Sequence, residues 1–147
     1  MSKKVYLDNC CFNRPYDDQD QVKIRIETEA KLHIQIKIEE GSVLLVWSYI
    51  LDYENAANPF EIRQISISTW KKKACEFVKE TKEVLQRANR LTQYDLKAKD
   101  ALHISCALQA KCEYFITTDD KILKKDHLVE HIKILNPVQM LDVLEEE

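Results

Sequence analysis

Three short runs of almost unbroken apolar residues, at 5–7, 43–47 and 114–117, most constrain what this chain can fold into. A strand with one face in water alternates apolar and polar side chains, whereas a strand covered on both faces does not. Helical stretches separate the runs, so the pattern predicts an α/β fold built on a parallel sheet. A weaker strand signal at 132–135 brings the expected sheet to four or five strands.

The segment between the first two runs, "QVKIRIETEAKLHIQIKIEE", fits two periods. Val22, Ile24 and Ile26, then Leu32, Ile34, Ile36 and Ile38, alternate as in a strand. Val22, Ile26, Ala30, Ile34 and Ile38 also form an i, i+4 row, and the segment is far too long for an ordinary strand. We read it as a helix capped by Asp18 or Asp20 and closed by Gly41. Residues 70–88 read as one helix with Trp70, Ala74, Phe77, Val78, Leu85 and Ala88 on its apolar stripe. Residues 98–110 read as a helix apolar nearly all round, hence buried. Shorter helices are expected after Trp47, over 60–67 and over 138–144.

Composition narrows the function. One glycine among 147 residues rules out a P-loop or a dinucleotide fingerprint, both of which need several. A net charge of -3 gives no global attraction to nucleic acid, so such binding must rest on local patches. Five cysteines, without C-x-x-C or framework spacing, are expected as free thiols, four of them as small core residues. Only three apolar residues follow Lys3-Lys4 before Asp8, which is no signal-peptide pattern, and no run approaches a membrane span. The expectation is one cytoplasmic domain over 1–147 with no membrane association.

The acids at the ends of the apolar runs carry the functional argument. Asp8 directly follows the first, and ligands in open parallel sheets bind outside the carboxyl ends of strands. Asp119 and Asp120 follow "YFITT" in the same way; we take Asp119 as functional and Asp120 as a helix cap. Asp100, in "KAKDALHISCALQA", begins a helix of apolar residues, where a carboxylate costs desolvation unless a cation or donors meet it. Glu54 lies about two turns into the helix after the second strand. Each acid alone reads as a cap or a surface residue. Four converging on one crevice repel, which divalent cations relieve, and oxygen-only ligation points to Mg²⁺ or Mn²⁺. Such a centre suits in-line attack on a phosphodiester. His103 reads as a hydrogen-bonded core residue, and His127 and His131 as surface residues.

The pieces "VYLDNC", "SYILDYENAAN", "KAKDALHISCA" and "YFITTDDKIL", in this order, make the whole chain resemble the PIN-domain family. These small α/β nucleases include the toxins of VapBC-type toxin–antitoxin systems. The resemblance implies a three-layer α/β/α fold with a five-stranded parallel sheet and helices on both faces. It implies a Mg²⁺- or Mn²⁺-dependent endoribonuclease with Asp8, Asp100 and Asp119 as metal ligands. Glu54 would be a ligand or the base that positions water. Thr117 matches a hydroxyl that helps hold the first Asp. Cys10 stands where the family commonly has Asn or Ser, and Asn9 is the nearby polar substitute. Asn13, Arg14, Lys97, Lys99 and Lys121 surround the acids in sequence and are candidates for RNA phosphate contacts. The implied partners are an RNA substrate, an antitoxin protein and a second copy in a homodimer. Two rivals are a catalytically inactive PIN-like module that binds RNA or protein, and a receiver-type phosphoacceptor domain. The latter gives Glu54 and Asp100 nothing to do.

Overall fold

The computed structural model describes residues 2–146. In chain order the elements are β1 (Lys3–Leu7), α1 (Asn9–Asn13), α2 (Val22–Glu39), β2 (Val43–Ser48), α3 (Tyr49–Ala56) and α4 (Glu61–Ser68). They continue with β3 (Glu76–Val78), α5 (Lys82–Leu91), α6 (Ala98–Gln109), β4 (Tyr114–Ile116), α7 (Asp120–Leu123), β5 (Lys133–Leu135) and α8 (Pro137–Glu145). All strand pairings are parallel, in the order β3-β2-β1-β4-β5. Val5, Tyr6 and Leu7 of β1 are fully buried, as are Leu45, Val46, Phe115 and Ile116 on its neighbours. Both sheet faces are therefore covered, which is why these strands do not alternate. Helices α2 and α8 pack together in one layer and α5 and α6 in the other, the three-layer α/β/α arrangement expected from the resemblance.

The winding reverses at β1. From there the chain goes to β2 and β3 on one side, then returns to place β4 and β5 on the other. The crevice outside the carboxyl ends of β1 and β4 is thus the switch point, where open α/β sheets bind ligands.

Several boundaries follow their sequence signals. Gly41 (φ +83°) closes α2 in a left-handed turn, with Gly41 N–H donating to Ile38 O and Ser42 N–H to Lys37 O, both at 3.1 Å. Those paired bonds satisfy carbonyls that the helix end leaves open, and glycine takes the conformation without a Cβ clash. Asn136 caps α8 reciprocally, accepting from Gln139 N (2.8 Å) while Gln139 Oε1 accepts from Asn136 N (2.9 Å). An Asn136→Ala protein should lose about 1 kcal/mol, seen as a melting temperature lower by about 2–4 °C. An unchanged melting curve would show the cap to be redundant with the packing of α8 on α2.

Other expectations are corrected. Residues 70–88 are not one helix: Thr69–Lys73 is a 3₁₀ turn, Glu76–Val78 is β3, and α5 starts only at Lys82. Cys75 N donates to Leu45 O (2.8 Å), drawing the segment onto the edge of β2, and Thr81 Oγ1 accepts from Val84 N (3.1 Å) to start α5. Neither Asp18 nor Asp20 caps α2; its N-cap position is Gln21, without a side-chain bond. Asp18 instead accepts from Asp20 N in the preceding turn (3.0 Å). All five cysteines are free thiols, but three and not four are buried, since Cys10 is partly open and Cys75 exposed.

Candidate active site

Asp8 stands where β1 stops. Its backbone N–H still donates to Ile116 O of β4 (2.9 Å), while its side chain turns to cap α1, Oδ1 accepting from Asn9 N (2.8 Å). Oδ2 accepts from Thr117 Oγ1 at 2.9 Å, so the hydroxyl expected to hold the first acid does hold it. Thr117 Oγ1 in turn accepts from Asp119 N (3.1 Å), tying the end of β1 to the end of β4. Asn9 contributes through its backbone; its side-chain oxygen is buried without a partner. Cys10 Sγ lies 3.5 Å from Asp8 Oδ2 and 3.3 Å from Thr117 Oγ1, and accepts from Thr118 N (3.4 Å). The thiol thus occupies a polar position beside the carboxylate rather than the core.

The cap on α7 comes from Asp119 and not, as expected, from Asp120. Asp119 Oδ1 accepts from Lys121 N (2.9 Å) and caps α7, while Asp120 pairs with Lys23 across the surface (3.0 Å). Capping takes one oxygen of Asp119. Its carboxylate still faces the crevice, lining a cleft of about 160 Å³ with Asp100, Asp95, Leu96, Lys97, Lys121 and Ile122.

Asp100 sits in the first turn of α6 and is half-buried. Burial first, then the negative fields of Asp8 and Asp119, push its carboxyl up to about 6; His103 opposes them and Glu54 adds to them. All three other acids thus act on this carboxyl, which shares its cleft with Asp119.

Glu54, on α3, meets the ring of His103: His103 Nε2 and Glu54 Oε1 are in hydrogen-bond contact. The same nitrogen is 3.8 Å from Asp8 Oδ1. Burial would lower the His103 pKa, but the hydrogen bond to Glu54 and the fields of Asp8, Glu54 and Asp100 outweigh it and raise it. On the other side Tyr6 Oη lies 2.6 Å from His103 Nδ1 and 2.6 Å from Ser48 Oγ. Ser48 also caps α3, accepting from Leu51 N (3.3 Å). The expected core histidine is therefore fully buried and hydrogen-bonded, and it also reaches the acids. Tyr6 and Ser48 went unnoticed in the sequence, where Tyr6 reads as one more residue of the first apolar run.

The basic candidates divide. Lys97 and Lys121 flank Asp100 and Asp119 in the cleft. Lys99 Nζ lies over the exposed ring of Tyr53 (5.5 Å), at the rim. Arg14 is turned away, to Asp17 (3.1 Å) and Glu27 (3.5 Å). Asn13 is engaged with Asn9 O (3.1 Å) and Asn58 (3.4 Å).

One oxygen each from Asp8 and Glu54 and one nitrogen from His103 lie within 4.8 Å of one another. With Asp100 and Asp119 adding negative field, this donor set fits a divalent cation. Fold and acids together define an α/β protein with a carboxylate cluster at its switch point. The chain matches the PIN domain family over residues 5–128 and belongs to that family, whose members are in general nucleases. A similar fold is found in VapBC2 from Rickettsia felis bound to a DNA fragment from their promoter. That likeness has a TM-score of 0.55 at 11% identity and covers 90% of this chain and 98% of that one. A search of curated proteins found no significant match.

Proposed function

We propose that residues 1–147 act as one nuclease domain, an endoribonuclease that hydrolyses RNA phosphodiester bonds with Mg²⁺ or Mn²⁺. The observation that carries this reading is geometric: Asp8, Glu54 and His103 bring donor atoms within 4.8 Å of one another, Asp119 is tied to Asp8 through Thr117, and Asp100 lines a cleft with Asp119. Asp8, Asp100 and Asp119 would hold the metal, with Glu54 completing the set. A bound divalent ion supplies an activated water and neutralises charge on the leaving oxygen. The chain's own residues support that chemistry: Thr117 and Asn9 N–H hold Asp8, His103 holds Glu54, and Lys97 and Lys121, which line the cleft with Asp100 and Asp119, would meet phosphate oxygens.

We read the protein further as a toxin restrained by an antitoxin. The structural neighbour is a VapBC2 assembly, and Val22, Ile26, Ile62 and Ile65 leave apolar surface exposed for a protein partner, whether an antitoxin or a second copy. Among the described residues no helix is long and apolar enough to cross a membrane.

The test is incubation of the protein with structured and single-stranded RNA in Mg²⁺, Mn²⁺ or EDTA, beside a folded Asp100→Asn variant. Cleavage is expected with metal, lost in EDTA, restored by excess metal and absent from the variant. If the wild type cleaves no better than the variant in either metal, the inactive RNA- or protein-binding module becomes the better reading. Cys10 beside Asp8 favours that outcome.

A further inference from the structure

Resting on the metal-centre reading above, we propose that His103 is itself a ligand of that centre through Nε2. The site is then a mixed nitrogen–oxygen site that selects Mn²⁺ over Mg²⁺, not an all-carboxylate one. Three observations carry this.

First, the position of Nε2 is that of a ligand. It forms one tight group with an oxygen of Asp8 and an oxygen of Glu54, on the side of the ring that faces the acids.

Second, the other ring nitrogen is held as metal-binding histidines usually are. Such a ring gives its remaining N–H to an oxygen acceptor, which fixes the tautomer and leaves the second lone pair for the ion. Here Nδ1 meets Tyr6 Oη at 2.6 Å, and Tyr6 Oη meets Ser48 Oγ at 2.6 Å. His103, Tyr6 and Ser48 are all essentially without solvent exposure. Nε2–H donates to Glu54 here, and ligation displaces that proton, as metal binding at a histidine requires; Nδ1–H would then donate to Tyr6 Oη and Tyr6 O–H to Ser48 Oγ, leaving the Nε2 lone pair for the ion.

Third, the chemistry of an imidazole nitrogen favours the borderline ion. Carboxylate oxygens accept Mg²⁺ and Mn²⁺ alike, but Mg²⁺ gains little from nitrogen, while affinity at N/O sites rises along the first-row divalent series that Mn²⁺ begins. His103 therefore discriminates between two ions that the four acids alone would treat similarly.

The decisive experiment is pulsed electron paramagnetic resonance on the Mn²⁺-loaded protein, with calorimetric titration of Mn²⁺ and Mg²⁺. Electron spin-echo modulation from a directly bound ¹⁴N is expected in the wild type and absent from His103→Gln. Mn²⁺ affinity should fall about tenfold or more in that variant, with a much smaller change for Mg²⁺. Tyr6→Phe keeps the ring packing and removes only the outer partner, so it should weaken Mn²⁺ about tenfold with the ¹⁴N signal altered. The wild-type spectrum and Tyr6→Phe decide the matter even if His103→Gln does not fold. Mn²⁺ bound without ¹⁴N modulation, or equal losses for the two ions, overturns the ligand role and leaves the carboxylate centre standing. A wild type that binds neither ion overturns that centre as well.

Discussion

An Asp8→Asn protein is expected to lose metal-dependent RNA cleavage by about a thousandfold while melting, without metal, no lower than the wild type. The two effects have separate causes. Catalysis falls because a neutral amide neither holds a divalent ion as a carboxylate does nor helps to orient it. Stability is kept because the amide oxygen still accepts from Asn9 N, so the cap on α1 survives. Removing a negative charge also relieves the repulsion among the acids. The same variant carries an internal gauge: the field of Asp8 helps to push the Asp100 carboxyl up to about 6. That carboxyl, followed by carbon-13 NMR, should titrate at lower pH once Asp8 is neutral. Wild-type cleavage by the variant, or an Asp100 titration that does not move, would remove Asp8 from the centre.

The second large effect concerns Lys31 and is one of stability. Its side chain, on α2, is 5% exposed and lies over the Phe12 ring (5.7 Å), between Glu27 and Gln35 one turn to either side. Burial pushes its pKa down from 10.5 to about 8, against a small opposing effect of Cys11. A lysine whose folded pKa lies below its unfolded value binds fewer protons in the native state, so its contribution to stability rises with pH between the two values. Below about 8 the full cost is present, roughly 3 kcal/mol. Lys31→Met, similar in length and free of charge, should therefore be more stable by that order at pH 7. The advantage should shrink as pH climbs from 8 toward 10.5. The buried thiols Cys106 and Cys112, both pushed up to about 12 by burial, work in the opposite direction above pH 9. They do so in both proteins and cancel in the difference. Urea unfolding of the pair at pH 7, 8.5 and 10 measures it, and a difference that stays constant across that range would sink the explanation.

How far the sequence revealed the molecule depends on where each element takes its instructions. The central strands and α6 were legible because burial on every side leaves an unbroken apolar run. The acids that follow them were legible because a charge next to such a run needs a reason. Strand β3 was not legible. It is three residues long, with Glu76 and Phe77 exposed, and a hydrogen-bonded edge on β2 makes it a strand, which no local period records. That Asp119 rather than Asp120 caps α7 turned on a one-residue difference in where α7 begins. The histidine at the acids was legible as buried but not as a neighbour of Glu54, because its orientation is set by Tyr6, 97 residues away.

The joining of β1 to β4 has a consequence in time. Thr117 reaches Asp8 across 109 positions of sequence, and Asp119 arrives with it. A ribosome adds residues from the amino end, so the first acid is made long before the strand that completes its surroundings. Until then the growing chain has Asp8, Glu54 and Asp100, but neither the Thr117 hydroxyl that holds Asp8 nor Asp119. On the proposed nuclease reading, the centre is complete only once the fourth strand pairs beside the first. The order of the strands acts as a delay.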